Sequence, residues 1–473
     1  MNRRAFLRAG AAVPVSAAIA QELPRPAKYE ADWESLRRHQ PPAWYEDAKL
    51  GIFVHWGLYS VPAWAPPTGE LGKVDWAKWF YQNPYAEWYL NSLRLKESAT
   101  ARHHAKTYGA DFDYFRFAET FNKEVEKWKP ADWAAAIKQS GAQYTVLTTK
   151  HHDGFTMWPS KVPNPKRPAG DLTVKRDVVG EFTAAMRAQG LKVGLYYSGG
   201  LDWTFETNPV RQMSDLAKTA PQSAEYGQYA DAHWRELIDR YQPSILWNDI
   251  TYPKSGKLAE IFADYYNRFP DGLVNNRFGA VHADMTTPEY AKYDKITEKK
   301  WESCRGLGFS FGYNQIEGPE HVLEPDKLIA MLIDIVSKNG NLLLNIGPRP
   351  DGSISDIQMD RLRALGRWMQ LNGEGIVGSR PWVRPGTGNV RFARKGDAVY
   401  AFLLERPRAA GEVIIPGVLA AGSTTRVRVP GSDKTLAYQQ RGRDLAITLP
   451  ANLAGEHALA LRIDPLPYQI VQE

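Results

Sequence analysis

The stretch Lys49-Leu-Gly-Ile-Phe-Val-His-Trp-Gly57 starts with a short apolar run and ends in two ring-bearing residues, His55 and Trp56. Similar runs recur along the chain at Tyr144–Thr149, Val193–Tyr197, Ser244–Trp247, Gly272–Asn275 and Leu342–Asn345. Continuous apolar runs are expected where both faces of a parallel sheet are covered. We therefore predict that Leu50–His55 is the first buried strand of a parallel sheet.

Segments with a helical period separate these runs. They are Pro130–Lys138, Val178–Gln189, Tyr226–Tyr241, Leu258–Phe269 and Asp326–Lys338, and one more helix is predicted at Ser355–Leu371. Strands that alternate with helices over this length predict a (β/α)8-like TIM barrel, which we assign to residues 21–380. Residues 60–128 are irregular and rich in aromatic and charged residues, so we interpret them as a long insertion after the first strand that forms part of the pocket wall.

After Pro381 the sequence pattern changes to short β-type segments without an intervening helical period. These segments are Asp397–Leu404, Glu412–Ile415, Thr425–Val429, Leu445–Leu449 and Ala458–Ile463. Short strands bounded by Gly, Pro and Asp turns are typical of an antiparallel β-sandwich. We predict that residues 381–473 form this second domain.

Residues 1–20 have the pattern of a signal peptide. Arg3-Arg4-Ala5-Phe6-Leu7-Arg8 resembles a twin-arginine export motif, and Ala18-Ile19-Ala20 fits a small-x-small cleavage site. The apolar part is too short to span a bilayer. We expect an exported protein, periplasmic or extracellular, with no membrane span. Cys304 is the single cysteine, so an intramolecular disulfide is excluded.

The composition is that of a globular protein, with 473 residues, 43% hydrophobic residues and a formal net charge of +6. A basic run with interleaved aromatic residues is missing from the sequence, so nucleic acid is not an expected partner. The sequence leaves open whether the chain forms a homo-oligomer.

Two carboxylates follow predicted strands. Asp249 comes directly after Leu246-Trp-Asn248, and Glu289 lies in a loop after the next strand. Retaining glycosidases use one carboxylate as nucleophile and a second as acid and then base. Asp249 fits an ordinary turn position at a strand end equally well. For Glu289, its surroundings in sequence favour a solvated loop residue. Three other carboxylates compete for the acid/base role: Glu302, Glu87 and Asp153.

Paired imidazoles occur at His151 and His152, directly after a β-branched run. Adjacent residues of a strand point to opposite faces, so one metal ion cannot easily use both, and no metal is expected. Imidazoles can instead hydrogen-bond to sugar hydroxyls. Five of the sixteen tryptophans lie near proposed strand ends or in the long insertion, where they could stack on sugars: Trp56, Trp79, Trp88, Trp203 and Trp247. The alternative for each is core packing.

Together these segments resemble the α-L-fucosidases of glycoside hydrolase family 29, from Trp44 to about Trp382. The matching phrases are Lys49–Gly57, Tyr59–Trp64, Glu87–Tyr89, Lys150–Phe155, Tyr196–Trp203, Leu246–Asp249, Val274–Arg277, Ser310–Asn314 and Asn341–Pro348. They follow one another in order over most of the chain, so the match is far more specific than any single motif.

The resemblance implies a (β/α)8-like barrel, a C-terminal β-sandwich and a retaining mechanism without a cofactor, acting on fucosylated oligosaccharides or glycoconjugates. It implies that Asp249 is the nucleophile and Glu289 the acid/base. It also implies a fucose pocket lined by His55, Glu87, Trp88, His151, His152, Tyr197, Trp247, Arg277 and Phe311. Two alternatives are a hydrolase for a related sugar such as α-L-galactose and a fucose-binding protein that has lost catalysis.

Overall fold

The computed structural model describes residues 29–168 and 170–469. The predicted signal peptide therefore lies outside the described residues. Among the residues described, none of the helices is both long enough and apolar enough to cross a membrane.

Within this part of the chain, seven parallel strands form the main sheet. Their bounds are β1 Leu50–Val54, β2 Tyr144–Lys150, β3 Lys192–Ser198, β4 Ile245–Asp249, β5 Leu273–Val274, β6 Trp301–Gly306 and β7 Gly340–Ile346. The strand order is β5-β4-β3-β2-β1-β7-β6. All six predicted apolar runs lie in this sheet. The strand β6 was not predicted, because its sequence Trp301-Glu-Ser-Cys-Arg-Gly mixes charged and apolar residues although every one of them is buried.

A short extended segment at residues 285–289 lies between the two edges of the sheet. An isolated parallel bridge joins Met285 to Asn275 at the end of β5, and another joins Thr286 to Trp301 in β6. A third parallel bridge pairs Glu289 with Cys304. The segment that carries Glu289 is therefore held in register with the strands on both sides of it.

Helices follow most of the strands, and several lie in the insertion after β1. Their bounds are α1 Trp33–Leu36, α2 Ala43–Ala48, α3 Trp76–Trp79, α4 Tyr89–Arg94, α5 Ala99–Tyr108, α6 Phe117–Glu124, α7 Pro130–Gln139, α8 Val178–Ala188, α9 Asp215–Lys218, α10 Ala224–Tyr241, α11 Leu258–Arg268, α12 Pro325–Ser337 and α13 Asp356–Asn372. Several of the long helices have the expected start signals. Pro130 occupies the first turn of α7, and the Ser223 hydroxyl accepts a hydrogen bond from the Tyr226 amide at the start of α10.

The C-terminal part of the chain is antiparallel. Its strands are β8 Arg380–Thr387, β9 Val390–Lys395, β10 Ala398–Leu403, β11 Gly411–Ile415, β12 Val418–Leu419, β13 Arg426–Arg428, β14 Tyr438–Arg441, β15 Asp444–Leu449, β16 Leu459–Asp464 and β17 Tyr468–Gln469. A five-stranded sheet has the order β13-β16-β10-β9-β8, and a three-stranded sheet has the order β11-β15-β14. Side chains from both sheets, such as Phe392 and Ile447, share one hydrophobic core.

Candidate active site

A cavity of about 160 Å³ opens at the C-terminal ends of the parallel strands. Carboxyl ends of parallel strands converge at one edge of such a sheet, which is where active sites of this architecture lie. Ten of the eleven predicted site residues line the cavity: His55, Glu87, Trp88, His151, His152, Trp247, Asp249, Arg277, Glu289 and Phe311. Tyr197 does not.

Asp249 is the last residue of β4 and is held by three donors. Its Oδ1 accepts hydrogen bonds from Arg277 Nη1 at 2.8 Å and from the Ile250 amide at 3.0 Å. Its Oδ2 accepts from the Tyr196 hydroxyl at 2.9 Å. Burial alone would raise the pKa of this carboxyl, but the charge of Arg277, aided by the hydrogen bonds from Arg277 and Tyr196, lowers the pKa below its usual range. Asp249 is therefore an ionised carboxylate with a fixed orientation.

Arg277 follows β5 and reaches both candidate carboxylates. Its Nη2 lies 3.5 Å from Glu289 Oε2, and the carbonyl of Thr287 accepts from Nε and Nη2 at 3.1 and 2.9 Å. The guanidinium also lies over the Trp247 ring, 4.8 Å from its centroid. These contacts fix the plane of the guanidinium. Because the guanidinium lies 2.8 Å from Asp249 but 3.5 Å from Glu289, its positive charge stabilises Asp249 more strongly.

Glu289 is half-buried and has a second partner on the opposite side. The Tyr85 hydroxyl donates to Glu289 Oε1 at 2.7 Å. Burial raises the pKa of Glu289, and the charge of Asp249 raises it further. The contacts with Arg277 and Tyr85 lower this pKa, but the net result is a pKa above the usual range of a glutamate. At a pH at which Asp249 is ionised, a carboxyl with a raised pKa can still be protonated, and a general acid must be protonated before it acts.

Glu87 lies in the insertion after β1 and also faces the cavity. Its Oε2 accepts from the Gly312 amide at 2.8 Å and from the Ser310 hydroxyl at 3.2 Å. Burial raises the pKa of Glu87 to about 7, although these hydrogen bonds lower it. Both partners belong to the loop that carries Phe311, so Glu87 connects two walls of the cavity.

His55 and His152 each have a fixed tautomer. The Asn345 amide donates to the carbonyl of Phe311 at 2.7 Å, so its oxygen is free to accept from His55 Nδ1 at 2.6 Å. In the same way, the Ser198 hydroxyl donates to a backbone carbonyl and accepts from His152 Nδ1 at 2.6 Å. The Nε2 atom of each ring is then an acceptor.

Burial keeps all three imidazoles of the cavity neutral. It lowers the pKa of His55 to about 3 and the pKa of His152 to about 4. For His151, burial and the neighbouring His152 hold the pKa well below its usual range. Neutral imidazoles can accept hydrogen bonds from sugar hydroxyls without adding charge beside Asp249.

The expectation that His151 and His152 point to opposite faces is wrong. The strand β2 ends at Lys150, so both residues lie beyond it, where the alternation of side chains no longer holds. Their ring centroids are 4.0 Å apart, and both rings line the cavity. His151 Nδ1 has no hydrogen-bond partner among the described residues.

The structure corrects the prediction for Tyr197. Its hydroxyl lies 3.1 Å from His233 Nδ1, and its ring packs under Lys150 Nζ, on the face of β3 turned away from the cavity. Tyr196, the preceding residue of the same strand, lines the cavity and holds Asp249. Since side chains alternate along a strand, an error of one residue in sequence moves the hydroxyl to the opposite face.

Two rival carboxylates, Glu302 and Asp153, do not line the cavity. The fully buried Glu302 accepts from the hydroxyls of Tyr45 and Tyr144 at 3.0 and 2.6 Å, and from Trp247 Nε1 at 2.9 Å. Asp153 accepts from the Tyr114 hydroxyl at 2.8 Å. Each is a buried acceptor that fixes neighbouring side chains.

The predicted tryptophans divide between the cavity and the core. Trp79, Trp88 and Trp247 line the cavity. Trp203 packs edge-on against Trp88, and Trp56 packs against Trp128 and Trp133 in the core. Several lining residues were not predicted, among them Tyr85, Tyr196 and Trp76. Tyr85 and Trp76 belong to the irregular insertion, whose aromatic composition was the only signal.

One group of donors among the described residues is close enough to hold a metal ion. It consists of His39, His282 and Asp284, whose ligand atoms all lie within 4.8 Å of one another. Their ligand atoms are already engaged: His39 Nδ1 lies 2.7 Å from Asp284 Oδ1, and the Tyr266 hydroxyl contacts His282 Nε2 at 2.9 Å and donates to Asp284 Oδ2 at 2.8 Å. None of them lines the cavity.

Comparison with known proteins gives consistent matches. The family model described as Alpha-L-fucosidase matches residues 16–374. The tissue alpha-L-fucosidase of Bos taurus is 34% identical over 448 residues, which cover 90% of this chain and 88% of the relative. A solved alpha-L-fucosidase structure matches with a TM-score of 0.87 at 45% identity, covering 92% of this chain and 100% of its own. The Thermotoga maritima alpha-fucosidase, solved in complex with a mechanism-based inhibitor, matches with a TM-score of 0.83 at 43% identity and the same coverage.

Proposed function

The chain belongs to the alpha-L-fucosidase family, and from this premise we propose that Asp249 is its nucleophile and Glu289 its general acid and base. The resemblance found in the sequence is thereby confirmed. The protein is a glycoside hydrolase that releases α-L-fucose with retention of configuration. The proposal concerns which side chains do this and how.

In the first step, Asp249 attacks the anomeric carbon and forms a fucosyl-enzyme ester, while Glu289 protonates the oxygen of the leaving group. In the second step, Glu289 takes a proton from water, the water oxygen attacks the anomeric carbon, and the bond to Asp249 breaks. Two displacements restore the original configuration. The observation that carries this assignment is the single guanidinium of Arg277, which contacts both carboxylates at 2.8 and 3.5 Å.

The opposite pKa shifts support the division of labour. The pKa of Asp249 is lowered, which suits a nucleophile that must be ionised. The pKa of Glu289 is raised, which suits a group that must deliver a proton. When Asp249 becomes an ester its charge disappears, so the pKa of Glu289 falls and the same residue can act as a base in the second step.

The remaining polar groups of the cavity suit the recognition of fucose hydroxyls. His55 and His152 offer acceptor nitrogens, and the carboxyl of Glu87 offers a further polar group. Phe311 and Trp88 supply apolar surface, which suits the methyl group and the C–H face of a 6-deoxy sugar. A binding protein without catalysis is not favoured, because it would not need two carboxylates with opposite pKa shifts.

At the level of architecture, we propose that residues 285–289 act as an eighth strand that completes a (β/α)8-like barrel. The parallel bridges to Asn275, Trp301 and Cys304 support this proposal. We also propose that the two antiparallel C-terminal sheets form a β-sandwich around their shared core. The twin-arginine-like pattern at Arg3-Arg4 supports export, which N-terminal sequencing of the exported protein would test.

A trapping experiment tests the nucleophile directly. A 2-deoxy-2-fluoro-fucosyl fluoride slows the breakdown of the fucosyl-enzyme, so the modified peptide can be isolated after digestion and sequenced by mass spectrometry. We expect the label on Asp249 in the peptide that contains Leu246-Trp-Asn-Asp249. A label on Glu87 or Glu289 instead would refute the assignment. Parallel assays with aryl α-L-fucoside and aryl α-L-galactoside measure the preference for the 6-deoxy sugar.

A further inference from the structure

A row of aromatic rings runs from the solvent to Glu289. The ring of Trp76 lies 5.8 Å from that of Trp79, and Trp79 packs edge-on against Tyr85 at 5.3 Å between centroids. Tyr85 donates its hydroxyl to Glu289 Oε1 at 2.7 Å. The outermost ring of the row, Trp76, is 42% exposed, whereas Trp79 is 3% exposed. One wall of the cavity is therefore aromatic along its whole depth.

The outer part of the cavity is apolar on its other sides as well. Five apolar residues that line the cavity are less buried than the others, and we call them the apolar rim: Leu71, Trp76, Met213, Leu216 and Ile250. Met213 is 49% exposed. Large apolar side chains are exposed elsewhere too, for example Tyr468 at 67%, but that residue lies in the C-terminal sheets and outside the cavity. The rim differs because it surrounds the entrance to the two carboxylates.

The position of the general acid determines what occupies this part of the cavity. A general acid must lie within hydrogen-bond reach of the leaving-group oxygen, so the leaving group starts next to Glu289. From there the wall continues through Tyr85 and Trp79 to Trp76. The polar groups suited to fucose, such as His55 and His152, are buried at the bottom of the cavity. The leaving group therefore meets rings and aliphatic side chains.

We propose that the apolar rim is a leaving-group site, in which Trp76 stacks on a leaving group that has a flat apolar face. An aryl ring and the C–H face of a pyranose share this chemistry. The rim residues offer contact area but no strong side-chain hydrogen-bonding group other than the Trp76 indole N–H, so recognition depends on ring shape and not on a pattern of hydroxyls. The proposal rests on the assignment of Glu289 and names the class of leaving group that this site accepts.

The test compares three substrates with Trp76→Ala. Phenyl α-L-fucoside and an α-L-fucosyl-hexose disaccharide carry a ring in the leaving group, whereas methyl α-L-fucoside carries none but needs the same proton. We expect kcat/KM for the ring-bearing substrates to fall roughly fivefold to tenfold. For methyl α-L-fucoside we expect a change of less than about twofold. Trp76→Phe keeps a stacking surface and should retain most of the activity on all three substrates.

The controls separate this proposal from the assignment of the carboxylates. Tyr468→Ala removes an exposed aromatic side chain outside the cavity and should change none of the three rates. An equal loss on methyl α-L-fucoside would mean that the Tyr85–Glu289 contact has been disturbed, and would overturn the stacking role. Unchanged rates on both ring-bearing substrates would overturn it as well. A loss on only one of them supports the site and identifies its occupant. The roles of Asp249 and Glu289 are tested independently by trapping and by azide rescue, whatever Trp76→Ala shows.

Discussion

Arg277 and Asp249 form an ion pair across the cavity, with Nη1 2.8 Å from Oδ1. Asp249 ends β4 and Arg277 follows β5, so the contact exists only because the carboxyl ends of these two strands converge. The guanidinium favours the ionised form of Asp249, and the weaker contact at 3.5 Å leaves Glu289 less stabilised. This asymmetry supports the proposal that the two carboxyls of one cavity have different tasks.

Replacing Asp249 with Ala should lower kcat by several orders of magnitude, because the attacking oxygen is removed. The thermal unfolding midpoint should change little. Asp249 lines the open cavity, so water can occupy its place, and Arg277 keeps its contacts with Thr287 and Glu289. Added azide should restore turnover from the vacated face and give β-fucosyl azide, identified by NMR. Asp153→Asn is a suitable control, because Asp153 is buried outside the cavity. It should give no azide product, and an Asp249→Ala variant that retained more than a tenth of the wild-type rate would exclude the assignment.

The pH profile of kcat/KM should be bell-shaped. In the proposed mechanism Asp249, whose pKa is lowered, must be ionised, so activity falls when the pH is low enough to protonate it. Glu289 has a raised pKa and must be protonated, so activity falls again when the pH rises above that pKa. Glu289→Gln should remove the alkaline limb and keep the acidic one. Glu87, with a pKa of about 7, is the competing source of the alkaline limb. If Glu87→Gln flattens that limb and Glu289→Gln does not, the acid is Glu87.

Tyr196 and Tyr197 form a matched pair for mutagenesis. Tyr196→Phe removes a hydrogen bond to the ionised Asp249, and such bonds contribute about 1.5–3 kcal/mol. We therefore expect kcat/KM to fall by roughly tenfold to a hundredfold. Tyr197→Phe removes only the contact with His233 and should leave kcat/KM within about twofold, with a loss of about 1 kcal/mol in the free energy of unfolding. Steady-state kinetics and urea denaturation of both variants measure these effects, and the reverse order would contradict the structure.

This pair also shows how far the sequence carries the prediction. The apolar runs locate six of the seven parallel strands, because burial on both faces leaves a clear pattern. They do not determine which of two adjacent tyrosines faces the cavity, since that depends on register. The strand β6 was missed for a related reason. Its buried Glu302 accepts hydrogen bonds from Tyr45, Tyr144 and Trp247, which come from other parts of the chain.

The site was predictable where residues follow strands and unpredictable where loops contribute. His55, His152 and Asp249 lie at a strand end or within two residues of one, so their convergence follows from the fold. Tyr85 approaches Glu289 from a position 204 residues earlier in the chain. Nothing in the local sequence of either residue indicates that contact, because it depends on how the whole insertion packs.

Glu302→Ala should damage stability more than chemistry. The substitution leaves the hydroxyls of Tyr45 and Tyr144 and the indole N–H of Trp247 without an acceptor in a fully buried position. We expect a loss of about 3 kcal/mol in the free energy of unfolding, measured by chemical denaturation. Glu302→Gln keeps an acceptor oxygen and should lose less. Neither variant should show azide rescue, and rescue of Glu302→Ala would return the acid/base role to this residue.

Leaving-group dependence distinguishes an acid/base from a residue that only binds. A general acid matters most when the leaving group is poor, because only then must its oxygen be protonated in the transition state. Glu289→Ala should therefore slow hydrolysis of a fucosyl disaccharide far more than that of an aryl fucoside with an acidic phenol. The second step should also slow, since water is no longer activated, and azide should then attack the fucosyl-enzyme to give α-fucosyl azide. Glu87→Ala should slow both substrates alike and give no azide product. Equal losses for Glu289→Ala on both substrates, without α-fucosyl azide, would mean that Glu289 only binds the substrate. The acid would then have to be Glu87, because the other two candidates, Glu302 and Asp153, do not line the cavity.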